Sequence, residues 1–472
     1  MRRNIYSALT AQSVVAVVSL AASIAVARMM QPAEFGVFSI GLAVITLVGV
    51  LQRGVGEYLL YAKDDLIETR RSVFGFAFLG TLIGVVAIFA SRPLLLEIYE
   101  SPGVADITMV LPLAMVVILF TMPITNMLAR EERFVIINVA TAISTIVMSA
   151  LQVGLVWLGF SYMGLAYATV AAAFAQLLFL IFVAPEHVLL RPSFANMRKI
   201  ASFGSMMIGS NLLQTMTSQA GQMIIGAMAN VSQAALFARA GTVSRLYNQT
   251  IPRAIDPLIR ARIGAQQRDG LNGLETVLNS SMVMLTVSTA FFGFLAVASD
   301  LIVPLVYGEQ WAPAAPAMTI IALGLIFWPI TSPATAYLTA CDRLDVVLRN
   351  RIFNLALRVV LLIVLVPYGL EAACLAIMAS GYFNAGQLIY ALKRYCDTDV
   401  AKLLRALIRP FLTGAIPVLI TFVAKLALAR LGTEGWALLG AIAAVMSGTS
   451  LASLFLLKHP LADEIRTLIK RR

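Results

Sequence analysis

Apolar runs of about 20 residues, separated by short charged stretches, repeat along the whole chain. A run of that length crosses the hydrocarbon core of a bilayer as an α-helix, whereas most soluble helices and strands are shorter. A window of about 19 residues predicts fourteen such helices. Their predicted bounds are 7–27, 36–60, 73–91, 108–128, 136–158, 162–184, 201–226, 232–258, 275–298, 314–340, 352–368, 371–392, 411–430 and 436–457.

The composition agrees with this pattern. Of the 472 residues, 60% are hydrophobic and only 12% are charged, whereas about a quarter are charged in a soluble domain. The predicted fold class is therefore an all-α polytopic membrane protein with about 14 transmembrane helices. We do not expect the net charge of +11 to indicate nucleic-acid binding, because no basic stripe with interleaved aromatic residues is present.

The basic residues follow the positive-inside rule. Of the 35 Lys and Arg residues, 26 lie at the two termini and in the connectors that share their side of the membrane. The opposite connectors hold only Arg28, Arg92 and Arg430. This asymmetry predicts that both termini are cytoplasmic and that the number of spans is even. An alternative interpretation treats the first apolar run as a secretory signal, but the repeat described below requires a helix there.

The residues of catalytic and metal sites are scarce. The 3 cysteines form no CxxC pair, and the 2 histidines each lie in a charged connector, so we predict free thiols, no metal site and no catalytic triad. Every connector is short, which leaves no room for a nucleotide-binding domain. We therefore expect neither an enzyme nor a cofactor or nucleotide.

The chain contains an internal repeat. It reads PAEFGVF at residues 32–38 and VSQAALF at residues 231–237, about 199 residues later. Six predicted helices separate the copies, so the two halves have the same orientation, as in transporters related by an axis along the membrane normal. We predict two six-helix lobes, residues 1–190 and 200–395, with a pseudo-two-fold along that normal, followed by a C-terminal helix pair and tail at residues 396–472.

The tract ARMMQPAEFG at residues 27–36 resembles the signature of the polysaccharide transporter family. These are the Wzx-type flippases of the multidrug, oligosaccharidyl-lipid and polysaccharide (MOP) superfamily. The resemblance implies movement of undecaprenyl-diphosphate-linked oligosaccharide repeat units to the outer leaflet of a bacterial inner membrane, for exopolysaccharide or O-antigen synthesis. It further implies that membrane lipids and a polysaccharide polymerase with its chain-length machinery are partners of this protein.

Charged residues within predicted spans are candidates for function, because each costs at least about 2.5 kcal/mol to insert. Helix 2 carries Arg53 and Glu57, and its repeat counterpart, helix 8, carries Arg253 and Asp256. Both spacings allow an ion pair on one helix face. These four residues either pair structurally and snorkel to the cytoplasmic side or line a cavity.

Helix 8 also carries Arg239 and Arg245, which lie well inside the span. We expect them to line a water-filled cavity with Arg53 and Arg253, where guanidinium groups suit the oxygens of a diphosphate. Helix 7 adds a polar stripe for sugar, formed by Asn211, Gln214, Ser218 and Gln222. The alternative for this stripe is that it holds helices together.

Three further cations have simpler interpretations. Lys425 and Arg358 lie nearer to the ends of their spans and are expected to snorkel. Arg28, at an outer helix end, either anchors helix 1 or guards the cavity mouth.

Three functions compete. A cation exporter of the same superfamily is expected to show an excess of carboxylates in its spans, whereas this chain shows an excess of Arg. A membrane polymerase or ligase is expected to have a long outer loop, whereas these connectors are short. The sequence therefore favours a flippase that works by alternating access.

Overall fold

A computed structural model describes residues 2–50, 66–188, 191–195, 197–244, 273–396 and 400–457, with the single positions 52, 56, 59, 247, 259, 262, 263 and 266. Side chains are described except at residues 2–14, 66, 197–207 and 400–403. In this part of the chain every regular element is helical. Ten of its helices are long and apolar enough to cross a membrane. The predicted fold class, an all-α multi-pass membrane protein, is confirmed.

The chain divides into two units, Met1–Ala235 and Leu236–Arg472. The helices that begin in the first unit are α1 (Arg2–Met29), α2 (Pro32–Val48), α3 (Leu66–Tyr99), α4 (Pro102–Val110), α5 (Pro112–Arg130), α6 (Phe134–Trp157), α7 (Ser161–Val183), α8 (Met197–Met228) and α9 (Val231–Ala240). Helices α4 and α5 form one span, which is interrupted before Pro112 because proline supplies no backbone N–H.

The second unit contains α10 (Leu274–Ile302), α11 (Ala315–Leu325), α12 (Thr331–Ala340), α13 (Leu344–Leu365), α14 (Leu370–Tyr395), α15 (Val400–Arg430) and α16 (Gly435–Leu456). Short 3₁₀ or π turns extend several of their ends. The predicted lobe boundaries at residues 190, 200 and 395 and the pseudo-two-fold remain predictions.

Packing within each unit follows the apolar faces of its helices. In the first unit, α6 packs against α1 and α7, α7 also contacts α5, and α8 lies against α2 and α3. In the second unit, α10 packs against α11 and α15, α14 packs against α11 and α13, and α15 packs against α16. The helix pair α15 and α16 therefore belongs to the second unit and covers α10.

Corresponding turns repeat at an offset of 210 residues. Glu132 and Asp342 both have φ of +57°, a left-handed conformation that ends a helix. The next N–H, of Arg133 or Arg343, donates to the carbonyl five residues earlier at 2.8 or 2.9 Å. Gly159 and Gly369 end the following helices with φ of +88° and +107°. The internal repeat therefore extends beyond the tract that revealed it.

The span Glu309–Ala340 is broken between α11 and α12, where Pro329 lies in a 3₁₀ turn. The break leaves backbone carbonyls without helical donors. Ser288 Oγ donates to the carbonyl of Ile326 at 2.8 Å, and Tyr382 Oη donates to that of Leu323 at 2.7 Å. Side-chain hydroxyls from neighbouring helices therefore satisfy carbonyl groups at and just before the bend.

Candidate functional site

Helix α8 presents polar side chains on the face that α2 and α3 leave uncovered. Gln214 and Ser218 are exposed, and Asn211 is half-buried. Ser218 Oγ donates to the carbonyl of Thr215 at 2.9 Å, so its own helix satisfies the hydroxyl. A polar surface in the middle of a long apolar helix is unfavourable against lipid and suits a water-filled cavity.

Gln222, the last member of the predicted stripe, has a different environment. Its side chain is only 6% exposed. Its Nε2 donates to Ser39 Oγ at 2.8 Å and to the carbonyl of Ala234 at 3.1 Å. Gln222 therefore joins α8 to α2 and to the first turns of α9, as the helix-joining alternative expects.

Arg239 is among the largest fully buried side chains, with 1% of its surface exposed. Its guanidinium carbon lies 4.9 Å from the ring centroid of Tyr307 and 4.7 Å from that of Trp311, and both rings are 0% exposed. These are cation–π distances. We call this set of three residues the aromatic box.

Sequence reasoning missed the aromatic box, although both rings were visible in the connector before predicted helix 10. The burial gives Arg239 a structural explanation as an anchor of α9 within the second unit. Binding of substrate by Arg239 remains a prediction.

Five of the predicted site residues lie outside the described residues: Arg53, Glu57, Arg245, Arg253 and Asp256. The neighbour of Arg53, Gln52, is described and is 2% exposed. Its Nε2 donates to Thr81 Oγ1 at 2.5 Å and to the carbonyl of Met115 at 2.9 Å. Gln52 thus joins its segment to α3 and α5.

Glu34 explains the acidic position of the tract at residues 27–36. Its two carboxylate oxygens accept from the N–H of Gln31 at 2.9 Å and from Ser161 Oγ at 2.6 Å. The first bond is half of a capping box at the start of α2. The second ties α2 to the start of α7. Arg28 is exposed in the last turn of α1.

Gly36 explains the glycine of the same tract. A Cβ on Gly36 would lie 2.1 Å from the carbonyl oxygen of Val231, closer than any real contact. Only glycine therefore allows α2 to approach the start of α9 this closely. The tract that predicted a transporter family has a structural role in the first unit.

Arg358 lies within α13 and does not snorkel as expected. Its Nε donates to Ser380 Oγ at 2.9 Å. One turn earlier, Asn354 is 6% exposed and its Nδ2 donates to the carbonyl of Ser380 at 2.7 Å. These residues form a polar seam between α13 and α14, which stabilises the pair in the way that polar side chains join membrane helices.

The turn after α5 carries an ion-pair cluster. Arg133 Nη1 lies 3.2 Å from Glu186 and 3.5 Å from Glu131, and His187 Nε2 lies 3.0 Å from Glu131. A backbone N–H in its own turn and then the Arg133 side chain hold the pKa of Glu186 below its usual range. The corresponding turn of the second unit differs, because there Arg343 lies over the ring of Tyr395 at 5.5 Å.

Comparison with solved structures shows that other polytopic membrane proteins share this fold. The lipid II flippase MurJ, in an inward closed conformation, shares it with a TM-score of 0.80 at 12% identity, over 97% of this chain and 100% of MurJ. An inward-facing multidrug resistance MATE family transporter of the MOP superfamily has a TM-score of 0.64 at 17% identity, over 83% of this chain and 96% of that one. These likenesses show the fold.

Sequence comparison then gives the family. The model of the polysaccharide biosynthesis protein family matches residues 25–316. The succinoglycan biosynthesis transport protein ExoT of Rhizobium meliloti (strain 1021) is 24% identical over 302 residues, which are 63% of this chain and 60% of ExoT. The chain belongs to the polysaccharide biosynthesis protein family, and the family resemblance in the sequence is confirmed.

Proposed function

We propose that this protein is a flippase that moves undecaprenyl-diphosphate-linked oligosaccharide repeat units from the cytoplasmic to the outer leaflet. The observation that carries the proposal is the exposed polar face of α8, in a chain of the polysaccharide biosynthesis protein family. A sugar headgroup needs neutral donors and acceptors, and Gln214 with Ser218 offers both. The fold shared with a lipid II flippase supports the same function.

The diphosphate requires cations. We propose that Arg53, Arg245 and Arg253 bind it, since guanidinium groups form paired hydrogen bonds to phosphate oxygens. Glu57 and Asp256 balance these charges when the site is empty. Binding of the diphosphate by Arg239 stays a separate prediction, because its side chain is buried in the aromatic box.

The membrane potential is the proposed driving force. With a negative cytoplasm, outward movement of an anion is favourable by about 2.3 kcal/mol per charge per 100 mV. Two charges on a diphosphate double this value. Coupling to protons or sodium through Glu57 or Asp256 is the alternative, and vesicles with an imposed potential but no ion gradient distinguish the two.

The proposed location is the bacterial inner membrane with both termini in the cytoplasm, as the distribution of Lys and Arg predicts. In this arrangement the oligosaccharide is loaded at the cytoplasmic face. A polysaccharide polymerase and its chain-length machinery, the proposed partners, receive it at the outer face.

Export of organic cations is the second candidate, and the MATE-like fold favours it. The two functions require opposite charges in the cavity. A cation exporter depends on carboxylates, so Glu57→Gln with Asp256→Asn abolishes export of a fluorescent cation. A flippase depends instead on the arginines and leaves cation resistance unchanged.

The polar face of α8 gives the direct test. Gln214→Leu with Ser218→Leu is expected to reduce translocation of a defined lipid-linked oligosaccharide in vesicles by about tenfold, the effect of about 1.4 kcal/mol of lost binding in the transition state. Ser447→Leu is the matched control, because Ser447 is also an exposed serine bonded to its own helix, at 2.8 Å. Normal translocation by the double variant, at a normal level in the membrane, contradicts the proposal.

A further inference from the structure

An apolar cavity of about 560 Å³ lies within the second unit, between α10, α11 and α15. Its walls include Gly293, Leu323, Phe411, Val418 and Phe422. This volume is within the roughly 300–1,000 Å³ range of small-molecule sites. Leu323 and Phe422 are exposed at 39% and 45%, and both lie on membrane-spanning helices, so the cavity has an apolar mouth that suits the acyl chains of the bilayer.

One end of this cavity is charged. Lys425 Nζ donates to both carboxylate oxygens of Asp300, at 2.6 and 2.7 Å, and to the carbonyl of Val297 at 2.7 Å. The ammonium group of Lys425 is therefore held by Asp300 and Val297, and only 16% of the Lys425 side chain is exposed. A carboxylate has about four acceptor positions, and Lys425 takes two of them. The Asp300 side chain is 59% exposed, so the remaining positions face outward.

The charged end lies near the ends of two spans, which end at Tyr307 and Arg430. Asp300 is in the last turn of α10, and Lys425 is in the last two turns of α15. Both helix ends therefore reach the same interface of the membrane. A molecule that fills the cavity lies with its apolar part along the spans and its polar part beside Asp300.

We propose that this cavity binds phosphatidylethanolamine, with an acyl chain between α10, α11 and α15 and its ammonium group donating to Asp300. An open apolar void leaves its lining atoms without dispersion contacts, so a chain from the bilayer fills it. The headgroup gives the selectivity. An anionic lipid meets an exposed carboxylate and a Lys425 ammonium group that is already paired with it and mostly buried, and phosphatidylcholine has no N–H to donate.

Native mass spectrometry of the full-length protein tests this site. Dioleoyl lipids with ethanolamine, choline or glycerol headgroups are added to the delipidated protein at equal concentration. The ethanolamine lipid is expected to be retained about tenfold more than the other two, which corresponds to about 1.4 kcal/mol. Equal retention of the three lipids, or a preference for the glycerol lipid, overturns the proposal.

Two variants separate the headgroup from the chain. Asp300→Asn is expected to bring the ratio of ethanolamine to choline lipid to about one, while Glu434→Gln, an exposed acid outside the cavity, leaves it at about tenfold. Ala415→Trp fills the cavity without touching the Lys425–Asp300 pair and is expected to remove retention of both lipids. Unchanged binding in Asp300→Asn or in Ala415→Trp contradicts the site. No step of this test depends on the transported glycan.

Discussion

The two units have related turns, but one buried position is apolar in the first unit and charged in the second. Ile40 of the first unit aligns with Arg239 of the second at the repeat offset of 199 residues. Ile40 is 0% exposed and lies among apolar neighbours that include Tyr99, whereas Arg239 is 1% exposed within the aromatic box. Tyr99 and Tyr307 themselves occupy corresponding helix ends, since Glu100 and Gly308 follow them with positive φ.

This difference shows which features the repeat preserves. Helix ends and turns are similar because backbone geometry allows few ways to reverse a chain. A core position is set by its neighbours, so the second unit buries a guanidinium where two aromatic faces receive it. In the first unit the corresponding residue, Ile40, is apolar and lies near Tyr99.

The largest effect is expected from Ile40→Arg, which places the residue of the second unit into the first. A buried charge without matched partners costs several kcal/mol, and we expect a loss of about 4 kcal/mol of stability. Thermal unfolding in detergent, followed by size-exclusion fluorescence, measures the loss. The control Ile40→Val is expected to lose only about 1 kcal/mol, and equal unfolding midpoints for the two variants contradict this comparison.

Arg239→Ala removes the buried guanidinium group from the second unit. We expect a loss of about 3 kcal/mol, because two desolvated cation–π contacts are removed and a cavity is left. Arg239→Lys keeps the charge but not the planar stacking, and is expected to recover part of the loss. A variant that keeps its melting temperature yet loses translocation instead identifies Arg239 as a direct substrate ligand.

Gly36→Ala tests the close approach of α2 to Val231. The added Cβ clashes with a backbone oxygen, so we expect a loss of about 2 kcal/mol. The repeat counterpart of Gly36 is Ala235, which carries a Cβ in a fully buried position. The reverse change Ala235→Gly is therefore expected to cost only about 1 kcal/mol, through helix propensity. Equal losses for Gly36→Ala and Ala235→Gly in thermal unfolding contradict this difference between the repeat counterparts.

Glu34→Gln gives the first unit the residue that the second unit has at the corresponding position, Gln233. The neutral amide weakens the bonds from Gln31 and Ser161, and we expect a loss of about 1 kcal/mol. Ser161→Ala combined with Glu34→Gln is expected to cost less than the sum of the two single changes, because they share one bond. Strict additivity in this double-mutant cycle contradicts the coupling.

The smallest effect concerns pH. Because the pKa of Glu186 is lowered in the folded state, its ion pair with Arg133 contributes above about pH 4.3 and is lost as the pH falls through the lowered value. Acidification is expected to loosen the turn after α5 and leave the turn at Arg343 and Tyr395 unchanged. Amide hydrogen exchange in the two turns measures this effect. In Arg133→Gln, acid is expected not to speed exchange in the turn after α5, because the ion pair is already absent.

Hydropathy and charge predicted most of the fold, because a membrane protein needs long apolar helices and carries its basic connectors on the cytoplasmic side. Among the described residues, the ten long apolar helices fall on predicted spans. The broken span with Pro329 was predicted as one continuous helix, since its apolar run is uninterrupted. Tertiary hydrogen bonds from Ser288 and Tyr382 stabilise the break, and no local pattern in the sequence contains them.

The candidate site was less predictable. Spacing placed Gln214, Ser218 and Gln222 in one stripe, but only contacts with α2 and α9 distinguish the exposed members from buried Gln222. A charge inside a span indicated function for Arg239, whereas Arg358 was expected to snorkel. Neighbouring rings and Ser380 gave each of them a structural partner, and these partners lie far away in the sequence.

The bend between α11 and α12 has a consequence for insertion into the membrane. A kinked span normally exposes peptide groups that attract water and add to the free energy of insertion. Here hydroxyls from α10 and α14 donate to two of the carbonyls. These carbonyls therefore no longer need water as a partner once those helices have packed around the bend. Because α10 precedes the bend in the chain and α14 follows it, both carbonyls are satisfied only once α14 has also been inserted.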